Sequence, residues 1–92
     1  MSRLYIRRSH ALTHDEARTR VSHVAQRLSE RFGAECRWEG DELCVEHSNL
    51  KGRVTVRRTE IIVDGKLGFA LSLFHDRVER EVAKFLDDEL KG

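Results

Sequence analysis

Five histidines, two cysteines and a dense mixture of carboxylates and arginines are the side chains of this sequence that could do chemistry. His10 and His14 form an H-x-x-x-H pair, a spacing that on a helix stacks two imidazoles one turn apart and can hold a metal. Thr13 followed by Glu16 is a helix capping box, so a helix starts between the two histidines and they do not share a turn of it. His23 falls on the polar side of that helix, His47 at the end of a strand and His75 at the start of a later helix, with no two forced together. A nucleophilic cysteine needs an adjacent base and access to solvent. Cys36 is expected inside, next to Trp38, and Cys44 on an outer sheet face near Arg37, which would lower its pKa slightly. No histidine or acid is placed to activate either thiol, and GDELC and DGKLG lack the spacing and following helix of a phosphate loop. No catalytic, cofactor-binding or metal-binding residue is assigned, and no cofactor is expected.

Binding chemistry is bounded by charge. With 17 basic and 16 acidic residues the formal charge is +1, so bulk attraction to a polyanion is absent and any such partner must meet a local patch. Arg3, Arg7, Arg8, Arg37, Arg53, Arg57 and Arg58 could line a nucleic-acid-binding sheet, but interleaved acids cancel their field and only Tyr5 is available for base stacking. Nucleic acid is therefore not an expected partner. No apolar run approaches the ~20 residues of a membrane span, and no signal-peptide core is visible. With two cysteines, this predicts a cytoplasmic protein.

The elements that must position these groups follow from periodicity. Ninety-two residues, 39% of them hydrophobic and none proline, predict a single domain over 1–92. Residues 3–9 alternate as a strand with Leu4 and Ile6 on one side. The capped helix runs from His14 to Phe32, with Ala17, Val21, Val24, Leu28 and Phe32 as its apolar stripe and Gly33 as a left-handed stop. Four strands follow as a meander. A turn at Gly40-Asp41 sets Trp38 against Leu43 and Cys36 against Val45, and a turn at Asn49-Leu50 sets Val45 against Val54. A turn at Arg58-Thr59 sets Val56 against Ile61. Opposite charges then meet outside, as Glu46 with Arg53, Glu42 with Arg57 and Arg53 with Asp64, while Glu35 with Glu46 and Glu39 with Glu42 do not fit.

The last strand is expected to continue, bent at Gly65 and Gly68, through LGFALSLF, keeping Leu67, Phe69 and Leu71 on the core face. It gives way between Ala70 and Asp76 to a helix whose stripe includes Phe74, Val78, Val82, Phe85 and Leu86. The expected fold is α+β, β-α-β-β-β-β-α, with an antiparallel five-stranded sheet in the order 2-3-4-5-1 and two helices on one face.

The H-x-L-x-x-x-E-A-R element (His10, Leu12, Glu16, Ala17, Arg18), RFG followed by RWEGD, KGR, and LGF before the last helix together resemble the polyhydroxyalkanoic acid system family, the polyhydroxyalkanoate granule region family. The likeness covers nearly the whole chain. It implies a small helix-grip layout, a curved sheet wrapping the carboxy-terminal helix, and a link to storage-polyester granules or acyl material, with no residue role. The function expected is a non-enzymatic accessory that binds a granule surface or a granule protein. The alternative is a small hydrophobic-ligand carrier, or an enzyme on such ligands, using a cavity between sheet and last helix lined by Trp38, Leu67, Phe69, Phe74 and Phe85. A homodimer is expected through an outer row of Tyr5, Cys44, Thr55 and Ile62.

Overall fold

A computed structural model describes residues 2–91. The elements are β1 (Ser2–Ser9), α1 (His14–Phe32), β2 (Glu35–Glu39), β3 (Glu42–His47), β4 (Leu50–Val56), β5 (Glu60–Leu67), α2 (Phe69–Ser72) and α3 (His75–Leu90). The strands form one antiparallel sheet in the order β1-β5-β4-β3-β2, as the pattern predicts. Strand alternation sends Leu4, Ile6, Leu43, Val54, Ile61 and Val63 inward, where Val21, Val24 and Leu28 of α1 and Val78, Val82 and Leu86 of α3 cover them. Burying each such side chain contributes about 1.5 to 3 kcal/mol before chain entropy is counted.

Helix α1 has the ends its sequence encodes. The Thr13 hydroxyl accepts the Glu16 amide at 3.2 Å and the Glu16 carboxylate accepts the Thr13 amide at 3.1 Å. Gly33 closes the helix at φ 70°, a left-handed conformation that a Cβ would strain, and its amide donates to Ser29. Arg27 with Asp88 at 3.2 Å and Arg31 with Glu81 at 2.9 Å link α1 to α3 on the surface. Such exposed pairs orient more than they stabilise.

Two expectations are corrected. The β3–β4 hairpin turns at Ser48-Asn49, pairing Leu43 with Val54, Val45 with Gly52 and Glu46 with Lys51. The expected register was two residues away and placed Leu50 in the turn, whereas here Leu50 is buried at the start of β4. The outer pairing changes accordingly: Glu42 stands opposite Thr55 and meets Arg53 diagonally at 3.4 Å. Asp64 does face Arg53, but its carboxylate is held by Arg3 through two hydrogen bonds of 3.0 and 2.8 Å.

The second correction falls in LGFALSLF. Strand β5 does not continue to Leu71 but ends at Leu67, and Gly68 turns the chain into the one-turn helix α2. The last sheet bond here runs from the Gly68 amide to Asn49 at 2.8 Å, because beyond Leu50 the neighbouring strand has become a turn. A Cβ on Gly68 would lie 3.2 Å from the Asn49 Cα, so the small residue permits this close crossing.

Candidate functional site

The histidines are occupied with structure. His10 accepts the Leu12 amide on Nδ1 at 3.1 Å and donates Nε2–H to the Arg57 carbonyl at 2.9 Å, clasping the β1–α1 loop to the end of β4. His14 turns instead to Asp41, at 2.9 Å, so the H-x-x-x-H pair shares no ligand position. His23 pairs with Glu89 and His47 accepts the Asn49 amide. A grouping absent from the sequence reading is His75, Asp76 and Glu79, whose potential ligand atoms lie within 4.8 Å of one another. Its signal is the i, i+1, i+4 spacing at a helix start. His75 already bonds Ser2 on Nδ1 at 2.8 Å and approaches Glu79 on Nε2 at 3.4 Å, which accounts for the geometry without an ion.

The thiols lie on opposite sheet faces and both are half-buried. Cys36 donates to the Ala25 carbonyl at 3.7 Å and burial pushes its pKa up. Cys44 is raised too, contrary to the expected lowering by Arg37, because its thiol donates to the Glu39 carboxylate at 2.9 Å and that bond exists only in the protonated form. Neither cysteine is poised as a nucleophile.

The five side chains expected to line a cavity are separated by the structure. Leu67 is fully buried and Phe85 nearly so, while Trp38 is half-buried, donating to Ser22 at 3.1 Å with Arg18 stacked 4.2 Å from its ring. Phe69 and Phe74 lie outside. The crevice between sheet and helices, touched by Leu4, Leu28 and Val82, holds about 20 Å³, against the several hundred of an ordinary ligand site. A surface depression of about 870 Å³ opens at the other end of the sheet, where His10 and His14 are held by the contacts above. The expected dimer row also divides: Thr55 stands beside Ile62, but Cys44 and Tyr5 belong to the next row with Arg53 and Asp64 between them. The two-residue shift of β3 against β4 displaces Cys44, and the β1–β5 register sets Tyr5 opposite Asp64 and Arg7 opposite Ile62.

What the fold does assemble is an apolar cap at the carboxyl end of β5. Phe69, Leu73 and Phe74 are 73%, 67% and 57% exposed, and Ala70 between them is also exposed. Phe69 and Leu73 are one helical turn apart on the same side of α2. The element is held at its ends by the Gly68–Asn49 bond and by the Phe74 amide donating to Leu71 at 3.0 Å. Leu71 packs inward against the core, while Phe69, Leu73 and Phe74 are left to solvent. Beside the cap, the last outer row of the sheet reads Arg3, Lys66, Lys51, Glu46, Glu35, with three cations directly opposed across β1, β5 and β4.

A family model described as "Putative polyhydroxyalkanoic acid system protein" matches residues 4–90. The chain belongs to this family. No curated protein and no solved structure gives a significant match. The polyhydroxyalkanoic acid system name connects the chain to storage-polyester biology and assigns no reaction. The motif pieces behind the resemblance acquire structural roles. Arg18 of the first element donates to the Gly40 carbonyl at 2.6 Å and stacks on Trp38, so H-x-L-x-x-x-E-A-R and RWEGD form one clasp. Gly52 of KGR faces Gly65 in a close approach: a Cβ there would sit 3.0 Å from the Asp64 carbonyl oxygen, tighter than an ordinary contact. In LGF, Leu67 is core and Gly68 is the crossing, whereas the Phe69 side chain packs into neither.

Proposed function

We propose that this polyhydroxyalkanoic acid system protein is a non-enzymatic accessory that works in the cytoplasm by attaching to the surface of storage-polyester granules. The observation that carries the reading is the cap of Phe69, Leu73 and Phe74, three large apolar side chains held outside a core that is otherwise closed. Leaving them in water gains nothing for folding, and their natural use is contact with another apolar surface. The small internal crevice argues against a carrier holding an acyl chain inside, and the raised thiols and engaged histidines argue against acid-base or nucleophilic catalysis. Cosedimentation with granules isolated from a polyester-accumulating cell tests the proposal. The wild-type protein is expected in the granule fraction, and recovery of all of it in the supernatant overturns the reading.

A further inference from the structure

We infer that the surface entered by α2 is an anionic lipid layer, with Phe69, Leu73 and Phe74 in the acyl region and the neighbouring cations at the headgroups. The inference rests on the binding reading above and names its partner. Two observations choose lipid over other occupants. The first is area: the exposed parts of the three side chains amount to roughly 400 Å², about half of what one partner contributes to a standard protein interface. A second copy of the chain or a folded partner is poorly held by so small a patch. A fluid apolar layer needs no complementary pocket and solvates each inserted side chain separately.

The second observation is charge. Cations directly opposed across strands disfavour the sheet, yet Arg3, Lys66 and Lys51 stand in line at the end of β5 that leads into the cap. Arg3 is answered by Asp64, whereas Lys66 and Lys51 have no ion pair among the described residues. Arg77 and Arg80, exposed on the first turns of α3, likewise have none. The carboxylates at this end are Glu46, opposite Lys51, and Glu35, opposite Glu46, on the far strands of the same row, Asp64, held by Arg3 and also near Lys66, and Asp76 with Glu79, which is engaged by His75. The cations left over suit an apolar layer carrying negative headgroups, while an uncharged polyester surface offers them no counterpart.

The test is partitioning of the whole protein onto phosphatidylcholine vesicles with and without phosphatidylglycerol, followed by centrifugation. Binding is expected on the anionic vesicles, falling with salt and far weaker on the neutral ones. Phe69→Ser and Leu73→Ser should each lower the partition coefficient roughly tenfold. Lys66→Gln and Lys51→Gln should each lower it roughly fivefold on anionic vesicles only. Unfolding midpoints of the variants, expected at or near wild type, confirm that loss of binding is not loss of fold. Absence of vesicle binding overturns the inference, as does binding that the serine variants leave unchanged or that is equal on neutral vesicles. Wild type that sediments with native granules but ignores vesicles sinks the lipid assignment while the granule reading stands. Protein absent from both sinks both.

Discussion

Leu67 and Phe69 are two residues apart in an alternating stretch that gives them the same side, yet the first is fully buried and the second is 73% exposed. The difference is made by their neighbours. Leu67 lies opposite both Ser2 of β1 and Leu50 of β4, so two strands fix its direction, and the helices close over it. One residue later β4 has become the Ser48-Asn49 turn, the ladder ends on Gly68, and the chain folds into a single helical turn with no side-chain cap. Apolar pattern sets which residues can be buried, and the reach of adjacent strands sets where burial stops. LGFALSLF therefore divides at Gly68: Leu67 holds the fold together, and the chain beyond it leaves Phe69, Leu73 and Phe74 at the surface.

The largest expected effect breaks the comparison at its buried half. Leu67→Ala should destabilise by about 2 to 5 kcal/mol in denaturant unfolding, since it opens a cavity under two strands and a helix layer. Phe69→Ala should leave the midpoint near wild type, and equal losses at both positions would mean that Phe69 is packed. The next effect contrasts the two helix starts. Thr13→Ala removes the cap of α1 and should cost about 1 kcal/mol, with Glu16 losing its reciprocal partner. The uncapped α2 should be the least protected helix in amide exchange, with the Phe74 amide exchanging much faster than that of Val82.

A smaller effect comes from acid. The Arg3 guanidinium holds the Asp64 carboxyl below its ordinary range, and the Thr13 amide does the same for Glu16. Both pKa values are depressed on folding, so their contribution is present at neutral pH and fades as pH falls from the ordinary carboxylate range through the folded values. Both sites are exposed, so only a shallow decline in the unfolding midpoint is expected there. Arg3→Gln should remove the Asp64 share of it.

Much of the fold was legible because local signals agreed. The Thr13–Glu16 box and Gly33 bounded α1 to the residue, and Trp38 opposite Leu43 set the first hairpin despite Glu35 facing Glu46. The β3–β4 register was not, since a shift of two preserves every inward residue and Glu46 finds a cation either way, Arg53 in one register and Lys51 in the other. The burial of Leu50 decides between them, and that is a tertiary fact. The end of β5 was hidden for a related reason: residues 67–74 satisfy both a strand and a helix period. Of the expected pocket residues, Leu67 and Phe85 went to the core and Phe69 and Phe74 to the surface, so the side chains that make the candidate site were in view while its location was not.

We propose that the cap is dispensable for folding and required for attachment. This is tested most directly by the amount of a Phe69→Ser/Leu73→Ser/Phe74→Ser variant retained on isolated polyester granules, relative to wild type with the same unfolding midpoint. The prediction is near-complete loss from the granule fraction. Retention equal to wild type by a folded triple variant would contradict it.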